Sequence, residues 1–208
     1  LSSRHFMKEL NRLGITSSLD CGGGFQNWPD DYLVIKELHK RNQLTMRIGV
    51  STFIQRPGKE LEDFRSWTEQ YTPRFNGRGE GDDMFYLLGG GEMLVRSAYD
   101  FEVFNMPRVV PPQNAEADLE RVVRLLAEKK WPFRFHATYD ETVTRHLDVL
   151  ERVHRDIPIS DLHWICDHAE SLSDRNIERI AAMNGGVAVQ NRIAFQELPF
   201  LERDAVLN

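Results

Sequence analysis

The stretch Trp131-Pro-Phe-Arg-Phe-His-Ala-Thr-Tyr-Asp140 decides the fold. In it, a short run of aromatic and apolar residues ends in His136, and a polar turn and a helical pattern follow. The same order recurs in Leu162-His-Trp-Ile-Cys-Asp-His-Ala-Glu170, where the histidine is His168. Each stretch predicts a strand, then a loop, then a helix. Because loops at the carboxyl ends of parallel strands line the ligand sites of α/β proteins, His136 and His168 are predicted to lie close together.

The rest of the chain repeats this alternation of strands and helices. Apolar or β-branched runs predict four further strands, at 15–19, 45–51, 84–88 and 187–190, and amphipathic patterns predict helices between them. Six strands alternating with helices predict an α/β protein with a parallel sheet and right-handed crossovers. Two architectures fit, an open doubly wound sheet and part of a (β/α)8 TIM-type barrel, which in full needs about 250 residues. We treat residues 1–208 as a single domain, because no linker divides them.

Composition excludes several classes of protein. A net charge of −6 argues against a general nucleic-acid binder, which would carry a basic stripe. The two cysteines, Cys21 and Cys166, form no C-x-x-C pair, which excludes a disulfide framework and a zinc ribbon. No apolar run is long enough to span a membrane. Since the first residues look like a helix interior, we expect a piece of a longer protein, cytoplasmic and without a membrane partner.

Polar residues stand where several strands are predicted to end. Neutral imidazole is a good zinc ligand, so His136 and His168 are candidate metal ligands, and packed structural histidines are the alternative. Glu92, after a glycine run, is predicted to contact substrate or metal, although a plain loop carboxylate fits equally well. Gln190 ends the last strand and is predicted to bind substrate. Asp140 is predicted to hydrogen-bond the second ring nitrogen of a ligating histidine, with helix capping as its alternative.

Other catalytic schemes find little support in the sequence. There is no G-x-S-x-G elbow, and Cys166 lies inside an apolar run that favours a buried, inert thiol. His146, His154 and His163 are assigned structural places on helix surfaces or alternate strand faces. The glycine triplet 22–24 favours a flexible loop over a phosphate site. The aperiodic stretch 92–112 is predicted to be a functional loop.

Four motifs, in order and spacing, resemble the amidohydrolase superfamily, and its amidohydrolase family 3 branch most closely. They are Leu13-Gly-Ile-Thr-Ser-Ser-Leu-Asp20, Phe135-His-Ala-Thr-Tyr-Asp140, Cys166-Asp-His-Ala-Glu-Ser-Leu172 and Gly186-Val-Ala-Val-Gln190. The resemblance implies a metal-dependent (β/α)8 barrel that hydrolyses C–N bonds in amides, formamides or ureides, with a divalent metal, expected to be zinc. It matches His136 and His168 to the family's ligands on the fifth and sixth barrel strands. It matches Asp140 to the aspartate of the family's H-A-x-G-D motif.

The sequence also departs from the family pattern. No H-x-H pair, which supplies the family's first two ligands, occurs in the chain. The family aspartate after the eighth strand lies beyond the last residue, and our alignment puts Tyr86 where some members carry a carboxylated lysine. Tyr139 replaces a glycine and Asp167 replaces a glutamate. The chain therefore resembles strands two or three to seven of a barrel.

Three functions remain open on the sequence. The first is a metal-dependent amidohydrolase, or the central portion of one, with a small-molecule substrate. The second is a non-catalytic relative or fragment without a complete metal site, which the missing motifs favour. The third, a metal-free lyase with Glu92 and the histidines as acid and base, has no specific support. Because an incomplete barrel leaves open strand edges, we also expect missing barrel segments or homo-oligomerisation to cover them.

Overall fold

The computed structural model describes residues 2–22, 27–74, 77–100 and 110–190. Strands and helices alternate along them, as predicted. The strands are β1 (Ser17–Asp20), β2 (Arg47–Thr52), β3 (Phe85–Gly90), β4 (Arg134–Ala137), β5 (Ile165–His168) and β6 (Gly186–Val189). The helices are α1 (Ser2–Arg12), α2 (Leu33–Lys40), α3 (Glu60–Gln70), α4 (Ala115–Glu128), α5 (Asp140–Asp156) and α6 (Asp174–Ala182). Most of the glycine triplet, residues 101–109 of the predicted functional loop and the tail after residue 190 lie outside the described residues.

The strands follow one another in chain order. Parallel pairs join β1 to β2 and β2 to β3 in one sheet, and β4 to β5 and β5 to β6 in a second. A parallel bridge between Gly90 and Phe133 connects the two sheets, and the amide of Gly90 donates to the carbonyl of Pro132 at 3.0 Å. A doubly wound sheet reverses its strand order at a switch point. The consecutive order seen here is instead that of a barrel wall, which supports the second of the two predicted architectures.

The helices form a layer on the outer side of the strands. In α5, the buried residues Val143, Leu147, Leu150 and Val153 recur at helical spacing, which gives the helix one apolar stripe. Side chains alternate between the two faces of a strand. Phe135 in β4 and Cys166 in β5 are both buried in the main hydrophobic core, so the thiol of Cys166 is buried as predicted. None of the helices in the described parts of the chain is both long and apolar enough to cross a bilayer.

The residue before α4 does not cap the helix. Asn114 occupies the position before the helix, but its side chain makes no capping bond and instead donates to the Asp118 carboxylate at 2.6 Å. Its backbone is helical rather than extended, so the side chain is not directed at the free amides of the first turn. Ser173, whose backbone is extended, does cap α6 by accepting the amide of Asn176.

Gly91 connects the end of β3 to Glu92 and lies close to the backbone of β4. Its φ is +109°, in the region that favours glycine. A Cβ atom at this position would overlap the backbone carbonyl of Arg134 in β4. The amide of Gly91 donates to the carbonyl of Thr52 in β2 at 3.0 Å, so the segment is held from both sides.

We expect Gly91→Ala to destabilise the protein more than Gly58→Ala, its matched control. Gly58 also has a positive φ, +80°, but a Cβ there would meet nothing within 4 Å. The control should therefore cost only the left-handed backbone strain, about 1–2 kcal/mol. Gly91→Ala adds overlap with a packed strand and should cost roughly 3 kcal/mol or more. Urea unfolding measures both, and equal midpoints for the two variants would contradict the close approach.

Candidate metal centre

Glu92, His136 and His168 meet at the carboxyl ends of three consecutive strands. Each offers a ligand atom, and these atoms lie within 4.8 Å of one another. Oε2 of Glu92 is 2.9 Å from Nε2 of His168, and Oε1 of Glu92 is 4.0 Å from Nδ1 of His136. The two imidazole centroids are 4.0 Å apart. The predicted proximity of the histidines is therefore observed, whereas their role as ligands stays a prediction.

The backbone of Glu92 is fixed by the strands on both sides. Its amide donates to the carbonyl of Cys21, just after β1, and its carbonyl accepts the amide of His136 in β4, at 3.0 and 2.9 Å. Sequence alignment placed Tyr86 at the position of the family's carboxylated lysine, but Tyr86 lies early in β3, opposite Gly49 of β2. The residue beside the histidines is Glu92. Glu92 follows the last residue of β3, Gly90, and the end of a strand is where a site residue is expected.

His136 is buried and its ring is held on several sides. Only 2% of the residue is exposed. Its Nε2 lies 2.9 Å from Oδ1 of Asp100 and 3.2 Å from Oγ1 of Thr138. The ring stacks on Tyr99, with centroids 3.8 Å apart and an interplanar angle of 25°. These contacts leave Nδ1 as the ring nitrogen on the side of Glu92.

Asp100 is a site residue that sequence reasoning missed. Its carboxylate accepts the backbone amides of Thr138, at 3.0 and 3.1 Å, and Tyr139, at 3.1 Å, immediately after β4. Burial disfavours its charge, but the hydrogen bonds from His136 and from these amides outweigh burial and lower the pKa of Asp100 to about 2. Asp100 stands in the stretch 92–112, where no periodic pattern marks which residues face inward.

His168 couples the cluster to the last strand. Its carbonyl accepts the amide of Gln190 at 3.0 Å. Burial opposes the charged imidazolium, but the hydrogen bond and charge of Glu92, with a hydrogen bond that the ring donates to the Gln190 side chain, outweigh it and raise the pKa of His168. The pKa of Glu92 is lowered, because the contact with His168 outweighs burial. Gln190 thus lies at the rim of the cluster, and its predicted contact with substrate stays a prediction.

Asp140 and Asp167 have other partners. Oδ1 of Asp140 accepts the amide of Ser173 and the side-chain amide of Asn176, both at 2.8 Å, and so ties α5 to the start of α6. The role predicted for Asp140 beside a ligating histidine stays a prediction; the carboxylate in contact with His136 is that of Asp100. Asp167 pairs with Arg134 on the inner face of the sheet, with Nε 2.8 Å from Oδ2.

His146 corrects the expectation of a surface histidine. It is only 5% exposed, and its Nε2 lies 2.9 Å from the carbonyl of Ala98. The buried stripe of α5 includes this position, so the ring points into the segment that carries Tyr99 and Asp100. Burial lowers the pKa of His146 to about 4, against the opposing charge of Asp100, so the ring is neutral at pH 7 and donates to the carbonyl. His146 therefore anchors the segment that contacts His136.

The donor set fits a divalent metal ion. Two imidazoles and one carboxylate are ligand types found in zinc sites, and a catalytic zinc site uses three protein ligands and one open position. The sequence offered His136 and His168 as ligands and Glu92 as a contact to substrate or metal, and the structure brings Glu92 within reach of both histidines. The carboxylate of Asp100 behind His136 supplies the outer contact that ligating histidines usually have.

The model of the amidohydrolase family matches residues 2–206 of the sequence. This chain belongs to the amidohydrolase family. The match confirms the resemblance carried by the four motifs. Those motifs run from Leu13 to Gln190, and the match continues past them at both ends. No curated protein matches the sequence.

Two solved structures share the fold of this amidohydrolase. An uncharacterized metal-dependent hydrolase from Pyrococcus horikoshii OT3 superposes with a TM-score of 0.58 at 15% identity, over 96% of this chain and 38% of that chain. An uncharacterized metal-dependent hydrolase from Pyrococcus furiosus gives a TM-score of 0.57 at 14% identity, over 93% and 38%. At these identities the likeness shows the fold alone. The chain spans little more than a third of the length of either protein, and its six strands correspond to part of a barrel.

We expect acid to destabilise the wild type through His146. The unfolded chain takes up a proton at the ordinary histidine pKa near 6.5, whereas the folded protein does so only near pH 4. The free energy of unfolding should therefore fall as the pH drops from about 6.5 to about 4, by on the order of 1–3 kcal/mol.

The variant His146→Gln can still donate to the carbonyl of Ala98 but cannot take up this proton. Its stability should vary less over the same pH window, as measured by urea unfolding at stepped pH. His5→Gln, the same change on the exposed face of α1, should keep the wild-type slope. Equal slopes for the wild type and His146→Gln would show that His146 does not cause the acid sensitivity.

Proposed function

We propose that this protein is a metal-dependent hydrolase of C–N bonds of the amide, formamide or ureide type. Glu92, His136 and His168 are its protein ligands for a divalent metal, for which we propose zinc. The observation that carries the proposal is the convergence of these three donors, within 4.8 Å of one another, at the carboxyl ends of neighbouring strands. That end of a β/α barrel is where the active sites of such enzymes lie. Membership of the amidohydrolase family supports the same chemistry.

The proposed ligands differ in the charge that they bring to the metal. A bound divalent metal supplies Lewis acidity and lowers the pKa of a coordinated water to about 7. His136 and His168 contribute neutral nitrogen donors, and Glu92 contributes the negative charge. The contact between them raises the pKa of His168 and lowers that of Glu92, and both shifts favour the charged pair. Metal must displace the proton of that pair, so binding should strengthen as the pH rises.

Gln190 and Asp140 have supporting places in this proposal. Gln190 is held against His168 at the end of β6, where its side-chain amide can hydrogen-bond a polar group of a small-molecule substrate. Asp140 fixes α6 to α5 next to the turn after β4 and supports the orientation of His136 through the backbone. We further propose a cytoplasmic location.

A second candidate function is a family member whose metal site this chain alone does not complete. The specific observation in its favour is that the chain spans only 38% of the length of each similar hydrolase structure. The absence of an H-x-H pair from the sequence points the same way. The two candidates differ in whether Glu92, His136 and His168 hold metal in this chain, which metal analysis decides.

We expect near-stoichiometric zinc in wild-type protein purified without chelators. Each of Glu92→Gln, His136→Ala and His168→Ala removes one of three donors, and should weaken binding by more than the 10–100-fold typical of losing an outer-shell partner. Elemental analysis and calorimetric titration with zinc measure these effects. His5→Ala, an exposed histidine on α1, is the control for non-specific histidine binding and should retain the metal.

Activity follows from the same preparations. Hydrolysis of a panel of amides, formamides and cyclic ureides should be lost on chelation and restored by zinc. Wild-type protein without metal would contradict the proposal for this chain and favour the second candidate. Activity that survives chelation would instead point to Glu92 and the histidines acting as acid and base without metal.

A further inference from the structure

We infer that Asp100 is a positioning residue that fixes the tautomer of His136, with the proton on Nε2 and the lone pair of Nδ1 directed at the metal. The inference rests on the proposed function, because the position of the lone pair affects metal binding only if the cluster holds a metal. Its physical content can nevertheless be tested in metal-free protein.

The hydrogen bonds of Asp100 determine where the proton lies. Oδ1 accepts the amide of Thr138 at 3.0 Å, and Oδ2 accepts the amides of Thr138 and Tyr139 at 3.1 Å each. A backbone amide can only donate, so both oxygens are already used as acceptors. Oδ1 also lies 2.9 Å from Nε2 of His136. The proton in that contact therefore belongs to the imidazole.

The position of that proton decides which nitrogen can bind a metal. A neutral imidazole carries one proton, and a nitrogen must be unprotonated to act as a ligand. With the proton on Nε2, the lone pair is on Nδ1, which lies 4.0 Å from Oε1 of Glu92 on the side of the cluster. Stacking on Tyr99 and nearly complete burial oppose rotation of the ring that would exchange the two nitrogens.

A second polar neighbour of Nε2, the hydroxyl of Thr138, does not by itself select a tautomer. Oγ1 of Thr138 lies 3.2 Å from Nε2, and a hydroxyl can either donate or accept. Asp100, in contrast, can only accept. It is also held firmly relative to His136, because its amide partners follow β4 directly and because His146 fixes Ala98, two residues earlier. Asp100 is thus the group that selects between the tautomers.

Asp100→Asn tests the inference with little change of shape. The amide oxygen can still accept from the backbone after β4, whereas the NH2 group then faces Nε2 of His136. Nε2 must accept from it, which moves the proton to Nδ1 and blocks that nitrogen as a ligand. This orientation sets the NH2 group near one backbone donor, the amide of Thr138, whereas the opposite orientation would set it against two, Thr138 and Tyr139, and is the less favourable.

Asp82, at the opposite end of β3 from Glu92, provides a control. Oδ1 of Asp82 accepts the amides of Met84 and Phe85, at 2.8 and 3.2 Å, and Oδ2 lies 2.8 Å from Nε2 of His39. Asp82→Asn therefore makes the same chemical change at a carboxylate–histidine contact that is more exposed. Because Asp82 precedes β3 and Glu92 follows its other end, the change should leave both the tautomer of His136 and metal affinity as in the wild type.

Long-range 15N–1H correlation spectra of metal-free protein identify the tautomer, and calorimetric titration with zinc measures affinity. We expect the Nε2–H form of His136 in the wild type and in Asp82→Asn. In Asp100→Asn we expect the Nδ1–H form and an affinity about 10–100-fold lower. A role of Asp100 in folding alone would reduce the affinity without changing the tautomer, and that result would overturn the inference.

If Asp100→Asn does not fold, the spectrum of the wild-type protein still tests the inference. The Nδ1–H form of His136 in wild-type protein would overturn the inference without any variant. If wild-type protein binds no zinc, the proposed function fails, and the spectra alone then decide the inference about Asp100. Unchanged tautomer and affinity in a folded Asp100→Asn protein would also overturn it.

Discussion

The pairing of residues 90–92 with residues 132–136 is the interaction on which the rest of this structure depends. It joins the sheet of β1, β2 and β3 to the sheet of β4, β5 and β6, through the bond from Gly90 to Pro132 and the bond from His136 to Glu92. The second of these bonds lies within the candidate site itself. Glu92 follows one sheet and both histidines come from the other, so the same contact joins the two sheets and brings the three candidate ligands together.

The site also shows how buried charge is accommodated in this fold. Glu92 faces His168, Asp100 faces His136, and Asp167 faces Arg134, so each of these carboxylates has a partner that can carry a positive charge. A buried charge is costly unless it is paired and hydrogen-bonded. Asp100 meets that condition most fully, because two backbone amides supplement its histidine. Each buried carboxylate of the cluster therefore has a compensating partner within the protein itself.

The sequence predicted those parts of the structure that depend on periodicity. The six strands, the parallel order and the two histidines at strand ends followed from apolar runs and their spacing. Asp100 could not be found in this way, because its stretch lacks a period and its contacts are made across about 38 residues of chain. His146 was placed on a surface, since helix periodicity does not reveal that the segment carrying Ala98 covers that face. Glu92 was left between three roles because its contacts come from two different strands.

The run from Gly89 to Gly91 has a consequence for how the site could be altered. At these positions the path of the chain is set by backbone contacts to Pro132, Arg134 and Thr52, by the Thr52 hydroxyl, which donates to the carbonyl of Gly89, and by the ring of Phe64 beside Gly90. The location of position 92 is therefore independent of the chemistry of its side chain. A carboxylate, thiolate or imidazole placed there would be delivered to the same point between the histidines. If the cluster holds the proposed metal, its preference among metals, which follows ligand softness, would be set at this one position without a change in the surrounding backbone.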